Sequence, residues 1–586
     1  MAQLVRRLTD PDLAYMFKHT LAQESVYESM LKSRRGELHR AVAQAIENVR
    51  GGQLEQDAAM LAWHYERAGQ DDKAFTYAAL AGDVAARAYA HQEALMFYDR
   101  ALALAERLKT PELNDRVRAI NANRGRVFEV AGQHLAAIEN YRQMIAFAQR
   151  MGDLAMEADG LSYLLTAQGI LGQTQDTDRE LNRALELARQ SGDPALVGRA
   201  LWNIGLSIRF TNPERAADYF RQTLEHARAN HLRELAAYAL TDLAVELQFT
   251  GEWREAHGHI LQALEEFRAL DNQPMIANAL GMLAESYHGR GEADPARAAA
   301  EEGYQISQAI ENPWGMGYNE WSLLALDLQL GDFDRVFGRA EHLLAVAGAL
   351  NVSLFKGMTH LHLARAYGAL NQIELAQAAV EQADKFLSVM NLPFWPVATA
   401  AIHAQVLLEE NKLAQARALL EPFWHDETNR QASIMGLALA GAIIPELAFA
   451  EGRLDDGLEF CDWLIARLEQ EEARGYACEL YYFRGLIRDR LGDANRAEQD
   501  LHRAAAITER AQNDLLRWRV QAALAKLYAA RGETDRAQAA RQRAVEPVRT
   551  IAGRISNPTW RAGFLQRKDV AEVLKSEGDR IGSALS

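Results

Sequence analysis

The stretch YALTDLAVELQFTGEWREAHGHILQALEEFRAL, residues 238–270, carries two apolar stripes on either side of one glycine. The first stripe precedes Gly251 and the second follows it, and their members are Leu240, Leu243, Ala244 and Leu247, then Ala256, Ile260, Ala263, Leu264 and Phe267. Residues three or four apart lie on one face of an α-helix, so the stretch predicts two packed helices joined at Gly251. Ala256 is small, which lets the two helices approach to about 8–10 Å.

The same arrangement recurs about every 40 residues along most of the chain. A small residue opens the second helix of each pair, at Ala137, Thr177, Ala216, Ala256, Ala296, Val336, Ala376, Ala416, Gly457, Ala497 and Ala537. Nearly every one lies five residues beyond a turn residue, namely Gly132, Gly172, Gly251, Gly291, Gly331, Asn371, Asn411, Gly452, Gly492 and Gly532. A helix pair repeated at a fixed interval indicates a solenoid, in which each unit buries its apolar face against its neighbours. We therefore expect an all-α fold with almost no strand.

Composition and charge narrow the class of protein. The chain has 586 residues, a formal net charge of −16 and two cysteines, Cys461 and Cys478. Two cysteines cannot staple a chain of this length, and an acidic body disfavours nucleic acid as a partner. No run of about 18 consecutive apolar residues and no basic-then-apolar leader occurs, so we expect no membrane contact and a cytoplasmic location.

Part of the repeat matches a known pattern residue by residue. Ala94, Tyr98 and Ala101 have the spacing Ala-x-x-x-aromatic-x-x-Ala, and aromatic residues recur ahead of the turn at Tyr287, Tyr367 and Tyr528. Residues 51–545 thereby resemble an array of tetratricopeptide repeats, about 11–12 in number. The resemblance implies a right-handed superhelical α-solenoid of tetratricopeptide-like helix pairs. The period of about 40, longer than the usual 34 or so, is similar to that of the sensor arms of large bacterial signalling ATPases.

Residues 1–50 differ from the repeats. They resemble the end of the winged-helix segment that follows the ATPase core in STAND-type signalling proteins, through Tyr15, Phe17, Lys18, His19, Leu21, Gln23, Glu24, Tyr27, Leu31, Arg34, Arg35, Leu38 and His39. In full-length proteins of that class an AAA-like nucleotide-binding domain lies upstream, sometimes after a class III nucleotide cyclase or a protein kinase. The chain has no Gly-x-x-x-x-Gly-Lys-Ser/Thr loop to hold phosphates, so the resemblance does not extend to ATP binding.

Residues 546–586 are expected to form a capping helix and a frayed tail. Asn557 and Pro558 predict a helix start, and an apolar stripe follows at Phe564, Leu565, Val570 and Leu574. This end is also basic, so it could dock an acidic surface or simply pair with the preceding repeat; its cations are Arg536, Arg541, Arg543, Arg549, Arg554, Arg561, Arg567 and Lys568. Within the array, Pro445 is expected to kink or shorten its helix.

No pattern in the sequence predicts catalysis, a cofactor or a metal. His257 and His259, like His360 and His362, are two residues apart on a helix and therefore point in divergent directions, so neither pair can chelate one ion. Cys461 lies in the aromatic position of a second helix, which indicates a packed core thiol. The aromatic residues near loop starts, Trp314, Phe394 and Trp395, are interpreted as packing anchors in preference to ligand platforms.

The exposed face of the first helix of each pair remains as a candidate binding surface. In tetratricopeptide arrays this face lines the concave groove, and helical spacing selects Tyr238, Thr241, Gln248, Asn278, Glu285, His288, Tyr318, Trp321, Met358 and Arg365. Aromatic, amide and charged groups together are typical of a surface that recognises a peptide or a small polar ligand. The alternative is that these side chains only contact neighbouring turns of a tight superhelix.

Two function classes therefore stay open. The first is a non-enzymatic scaffold or sensor arm that binds a protein segment or a small ligand, such as an inducer, in its concave groove and relays to a signalling ATPase or output domain. Its partners would be a protein or peptide, with association to an AAA-like ATPase domain. The second is a fragment of a multidomain ATP-binding protein or nucleotide cyclase, whose catalytic domains lie outside these residues.

Overall fold

The computed structural model describes residues 5–8, 14–17, 20–50, 54–88, 90–171, 177–209, 211–350, 352–388, 395–425, 430 and 434–575. The contacts divide the chain into two units. Unit 1 comprises residues 1–167 and 176–192, and unit 2 comprises residues 168–175 and 193–586.

Unit 1 begins with an antiparallel hairpin of β1 (Val5–Leu8) and β2 (Ala14–Phe17), in which Val5 pairs with Phe17. Helices follow as α1 (Thr20–Ser29), α2 (Lys32–Arg50), α3 (Ala58–Arg67), α4 (Asp71–Arg87), α5 (His91–Leu108), a 3-10 turn (Pro111–Leu113), α6 (Asn114–Val130), α7 (His134–Met151), α8 (Leu154–Ile170) and α9 (Thr177–Ser191). Residues 168–170 of α8 belong to unit 2. The hairpin supplies the two strands of the described residues, in line with the expectation of almost no strand. The winged-helix interpretation of residues 1–50 stays a prediction.

Unit 2 is entirely helical over its described residues. Its first helices are α10 (Pro194–Ile208), α11 (Pro213–Ala229), α12 (Arg233–Thr250), α13 (Trp253–Ala269), α14 (Gln273–Arg290), α15 (Ala293–Ala309), α16 (Pro313–Gln329), α17 (Phe333–Ala349), α18 (Ser353–Ala369), α19 (Ile373–Leu387) and α20 (Trp395–Glu409). The remainder are α21 (Leu413–Trp424), α22 (Ile434–Ala440), α23 (Ile443–Glu451), α24 (Leu454–Gln470), α25 (Arg474–Arg490), α26 (Ala494–Arg510), α27 (Asp514–Ala530), α28 (Thr534–Arg554), α29 (Pro558–Gln566) and α30 (Lys568–Lys575). The predicted fold class, an all-α solenoid of tetratricopeptide-like helix pairs, is confirmed.

The turns within the helix pairs have the conformation that the sequence predicts. The backbone is left-handed, with φ between 58° and 88°, at Gly132, Gly251, Gly291, Gly331, Asn371, Asn411, Gly452, Gly492 and Gly532. Glycine and asparagine tolerate this region, which explains the punctuation at these positions. Gly172 lies outside the described residues.

A second set of left-handed turns joins one helix pair to the next. Its members include His231, Asp271, Glu311, Glu472 and Gln512, with φ between 48° and 58°. The sequence did not reveal this set because most of these residue types rarely mark a left-handed turn.

The small residues of the register are buried at the contact between paired helices. Ala256, Ala296 and Ala376 are completely inaccessible, and the same holds for Ala137, Ala216, Ala416 and Ala497. The first helix of a pair also uses glycine where the second helix presents a ring. A Cβ atom added to Gly205 would lie 2.6 Å from the ring of Phe220. The side chain of Thr177, a weaker match to the register, lies outside the described residues.

Helices α22 and α23 form a bent pair inside unit 2. They meet at 65°, with Gly441 in the left-handed region at φ 69°, and the short α23 contains Pro445, as predicted from that proline. No single described helix is long and apolar enough to cross a membrane, although this bent pair passes a test of length and composition. Its apolar side chains are core residues of unit 2, because Ile434, Ile444 and Leu447 are at most 1% exposed.

Four consecutive turns of unit 2 contact segments far along the chain. Beside the turn at Gly251 lies Ile434, and the Arg510 guanidinium donates to the backbone oxygen of Gly291, 219 residues away. Arg554 donates to the oxygen of Leu330, 224 residues away, and Arg567 to that of Gly368, 199 residues away. Successive turns therefore meet successive later segments, and the array of unit 2 closes on itself.

The C-terminal helices take part in this closure. The Asn557 side chain accepts hydrogen bonds from the backbone nitrogens of Thr559 and Trp560, which confirms the predicted helix start. Phe564 and Val570 are buried in a cluster that joins α28 to Phe333 and Leu370. These helices thus pack on α28 and on the repeat of α17 and α18, while the capping role of residues 546–586 stays a prediction.

The basic end is engaged within unit 2. Arg536 pairs with Glu498 and Glu533, Arg561 donates to its own turn at the oxygen of Ile555, and Arg567 pairs with Glu409. These contacts favour internal pairing over the docking interpretation. The tail beyond Lys575 lies outside the described residues.

Candidate ligand cavity in unit 2

The helices of unit 2 line a partly open cavity of about 200 Å³. Its wall comes from α14, α16, α18 and α20 on one side, and from α22, α25, α27 and α29 on the other. Apolar surface predominates over polar surface. A cavity with mostly apolar walls and a few convergent polar groups is typical of small-ligand sites.

Helix periodicity explains which side chains reach the cavity. On α18, Met358, Leu361, His362 and Arg365 lie three or four residues apart and form one stripe. On α20 the corresponding stripe contains Trp395, Ala398, Ile402, Gln405, Val406 and Glu409. The first helix of each pair therefore presents one face to the neighbouring helices and another to the cavity.

Two histidines of the wall are held in the neutral form. The Nε2 atoms of His288 and Gln329 are 2.7 Å apart, and the indole nitrogen of Trp321 donates to Nε2 of His362 at 3.0 Å. Burial, reinforced by the charge of Arg365, lowers the pKa of His288 to about 4 and that of His362 to about 3. Neither side chain carries a charge at neutral pH.

A carboxyl group on α14 is held in the protonated form. The Tyr318 hydroxyl donates to Oε2 of Glu285 at 3.2 Å, and burial raises the pKa of Glu285 to about 8. The pKa of Tyr318 is also raised, mainly by burial and then by this carboxyl. The Glu285–Tyr318 pair is consequently neutral at pH 7.

The charged residues of the wall form ion pairs that differ in the distance between the charged groups. Arg567 is 2.9 Å from Glu409 and 3.2 Å from Asp569, which are distances typical of direct pairing. Arg365 approaches Glu479 only to 3.5 Å. Arg519 approaches Asp569 only to 3.4 Å, so these two guanidinium groups are less firmly held than that of Arg567.

The structure divides the ten residues of the predicted groove into three sets. His288, Met358 and Arg365 line the cavity. Trp321 bonds to the wall residue His362, while Glu285 and Tyr318 bond to each other. The remaining four are Tyr238, Thr241, Gln248 and Asn278, which lie outside the wall.

These four residues make contacts within the array. Thr241 donates to the oxygen of Ala237, Asn278 approaches the sulfur of Met282, and Gln248 is 9% exposed. The Tyr238 ring packs between Trp202 and Phe267, with ring centroids 5.5 Å from each. Thr241 and Asn278 thus bond within their own helices, and in this set the cited ring contacts of Tyr238 are those made with other helices.

The groove predicted from the sequence omits wall residues of α20 and of the later helices. They include Trp395, Glu409, Tyr476, Glu479, Trp518, Arg519, Phe564 and Arg567. Helical spacing could place each of these on a helix face. No local sequence pattern, however, predicts contacts between segments of the array that are about 200 residues apart. Trp395, interpreted as a packing anchor, is indeed 5% exposed and also borders the cavity. Phe394 lies outside the described residues.

The described part of the chain contains neither a cluster of side chains arranged to bind a metal ion nor a cysteine with an activated thiol. No group of three or more His, Cys, Asp and Glu side chains there is placed to hold a metal ion. Cys461 and Cys478 are free, and the pKa of each thiol is raised by burial. The Sγ atom of Cys461 lies 3.7 Å from the oxygen of Leu480, as expected of a packed core thiol.

Comparisons with known proteins give distant similarities. No protein-family model matches the chain. An uncharacterised protein of Rhizobium meliloti (strain 1021) is 38% identical over 91 residues, which cover 16% of this chain and 9% of that protein. The chain therefore matches less than a tenth of that relative's length.

Three solved structures with a similar arrangement of helices are each less than 20% identical to this chain. A signal transduction ATPase with numerous domains (STAND) that carries a tetratricopeptide repeat sensor, from Pyrococcus horikoshii, is 14% identical; the match covers 66% of this chain and 57% of that one, with a TM-score of 0.40. A Rap protein complexed with competence and sporulation factor is 17% identical over 61% of this chain and 98% of that one, with a TM-score of 0.41. The Cut9–Hcn1 hetero-tetramer of APC/C gives 12% identity, 95% and 99% coverage, and a TM-score of 0.41. The neighbours thus include a STAND protein with a tetratricopeptide sensor, the class that the sequence resembles.

Proposed function

We propose that this chain is a non-enzymatic tetratricopeptide scaffold or sensor arm, which holds a small ligand inside unit 2 and relays its presence to a signalling ATPase or another output domain. The observation that supports this is the cavity of about 200 Å³, with apolar walls and convergent polar groups. Apolar walls with a few precisely placed polar groups are the usual construction of a small-molecule site.

The closure of unit 2 favours a small molecule over an extended protein segment as the occupant. The contacts of Arg510, Arg554 and Arg567 hold segments from far along the chain against the C-terminal ends of α14, α16 and α18. A protein partner would then be the output domain, in contact with an outer face. The sequence offers no phosphate-binding loop, so the proposal assigns no nucleotide hydrolysis or cyclisation to these residues.

A cavity-filling variant tests this function on the full chain. Ala325 borders the cavity, and Ala325→Phe would occupy it; Ala298→Phe makes the same change at an exposed position of α15. Thermal unfolding and hydrogen exchange are measured with a panel of small anions, cations, zwitterions and neutral compounds. At least one compound is expected to raise the unfolding temperature and slow exchange in α14, α16 and α18, in the wild type and Ala298→Phe but not in Ala325→Phe. The proposal would be contradicted if a compound protects Ala325→Phe as well as it protects the wild type, or if no compound protects the wild type.

A further inference from the structure

The hydrogen-bonding groups around His362 are mainly donors. His362 is neutral and accepts through Nε2 from Trp321, so its proton is on Nδ1. That Nδ1 is buried and has no hydrogen-bond partner among the described residues. Gln329 places its Nε2 against Nε2 of His288, which assigns the proton of the neutral His288 ring to Nδ1 as well. Both imidazoles therefore have an N–H to donate.

A guanidinium group lies beside these two rings. Arg365 is one helical turn beyond His362, borders the cavity, and is close enough to both histidines to lower their pKa. Its carboxylate partner Glu479 is 3.5 Å away and also lies 3.4 Å from the backbone nitrogen of Ala442. A well-formed pair would be at about 2.7–2.9 Å, so the cation retains capacity for a further acceptor.

The other acidic group of the wall does not compete for this cluster. Glu409 is paired with Arg567 at 2.9 Å. Around Arg365, His288 and His362 the N–H donors outnumber the acceptor oxygens, even when the Oε1 of Gln329, buried and without a partner among the described residues, is counted. A ligand that fits must supply acceptor atoms, and next to an incompletely paired cation the best acceptor is an anionic oxygen.

The rest of the wall fits an apolar body. Trp395, Met358, Leu361 and Ile402 flank the cluster on α18 and α20, and each borders the cavity. Flat aromatic and aliphatic groups pack well against such side chains, while the remaining space is too small for an extended chain.

We infer that the cavity binds a small organic carboxylate with an aromatic or aliphatic body, whose acidic group is held by Arg365 together with the N–H groups of His288 and His362. This inference rests on the proposed function, because it names the chemical class of the ligand that unit 2 senses. It specifies where the anion lies and which residues supply its hydrogen bonds.

Three probes with one body and different charge test the inference on the full chain. They are phenylacetate, the neutral phenylacetamide and the cationic phenethylamine, titrated calorimetrically against the wild type and the cavity-filling Ala325→Phe. Phenylacetate is expected to bind about tenfold more tightly than either of the others, and only to the wild type. If phenylacetamide or phenethylamine binds as tightly in the cavity, or if none of the three binds there, the carboxylate class is wrong. The broader panel described above then decides the proposed function separately.

Two substitutions locate the anion. Arg365→Gln is expected to weaken phenylacetate binding about tenfold while leaving phenylacetamide unaffected, and Arg335→Gln, at an exposed position of α17, should change neither. Glu479→Gln removes the negative charge that competes for Arg365 and is expected to tighten phenylacetate binding. This second variant keeps the test decisive if Arg365→Gln does not fold. Unchanged or weakened phenylacetate binding in Glu479→Gln would overturn the assignment of the anion to Arg365.

Discussion

At the scale of single residues, Glu285 shows how unit 2 fixes a protonation state by burial alone. Its Oε2 accepts one hydrogen bond from Tyr318, and within the described residues its Oε1 accepts none. The carboxyl group ionises near pH 4.5 when it is free in solution, but its pKa in the folded chain is about 8. The folded state therefore keeps a proton that the unfolded state loses, and unit 2 loses stability as the pH rises from about 4.5 to about 8.

The substitution Glu285→Gln should remove this pH dependence. The amide keeps an oxygen for the Tyr318 hydroxyl and cannot ionise, so the variant is expected to be more stable than the wild type at pH 8 by about 1 kcal/mol or more. The difference should shrink as the pH falls from 8 towards 5, because the pH then approaches 4.5, the value at which the carboxyl of the unfolded wild type regains its proton. Thermal unfolding of both proteins between pH 5 and pH 8 is the measurement, with Glu265→Gln at an exposed position of α13 as control. A constant difference across this range would contradict the assigned burial of Glu285.

At the scale of helices, the contact between paired helices is the feature that the sequence predicts best. Small residues such as Ala256 and turn residues such as Gly251 recur at a fixed interval, and the structure places the first at 0% exposure and the second at φ 88°. The interval is visible because each repeat buries the same contact. Turns between repeats, such as that at Glu311 with φ 53°, were not predicted, since their side chains impose no comparable packing requirement.

Ala256→Leu should overpack this contact. The completely buried alanine faces helix α12, so a larger side chain there is expected to cost about 1–3 kcal/mol and to loosen the adjoining helix pairs. Ala298→Leu makes the same change at an exposed position of α15 and should be nearly silent. The unfolding temperatures of the two variants and the wild type are compared. Equal temperatures for Ala256→Leu and the wild type would show that the register is misplaced.

At the scale of unit 2 as a whole, the candidate site depends on contacts that no local sequence pattern encodes. Helical spacing selected His288, Met358 and Arg365 as candidate binding residues, and the structure places these three in the wall of the cavity; their role in binding stays a prediction. It could not select Glu479 or Arg567, because their approach to the same cavity requires the array to close on segments about 200 residues apart. Closure follows from the summed small rotations between repeats, a quantity that depends on every interface in turn.

Arginines that donate to distant backbone oxygens are the groups on which this closure can be tested. Arg510 reaches Arg290 at 2.6 Å and Gly291 at 3.2 Å, and Arg554 reaches Leu330 at 3.0 Å. The double variant Arg510→Ala, Arg554→Ala is expected to speed amide hydrogen exchange in the turns at residues 290–294 and 330–334.

The pattern of amide exchange also distinguishes a loss of the contacts that close the array from a general destabilisation of unit 2. Turns such as Gly492 and Gly532, whose neighbours are local, should exchange at the wild-type rate in the double variant, because their helix pairs keep all their own contacts. Arg543→Ala, at an exposed position of α28, is the matched control and should leave all four turns unchanged. If amide exchange at residues 290–294 and 330–334 is as slow in the double variant as in the wild type, the arginine contacts do not hold the array closed. Apolar contacts such as that between Gly331 and Ile551 would then suffice to enclose the cavity.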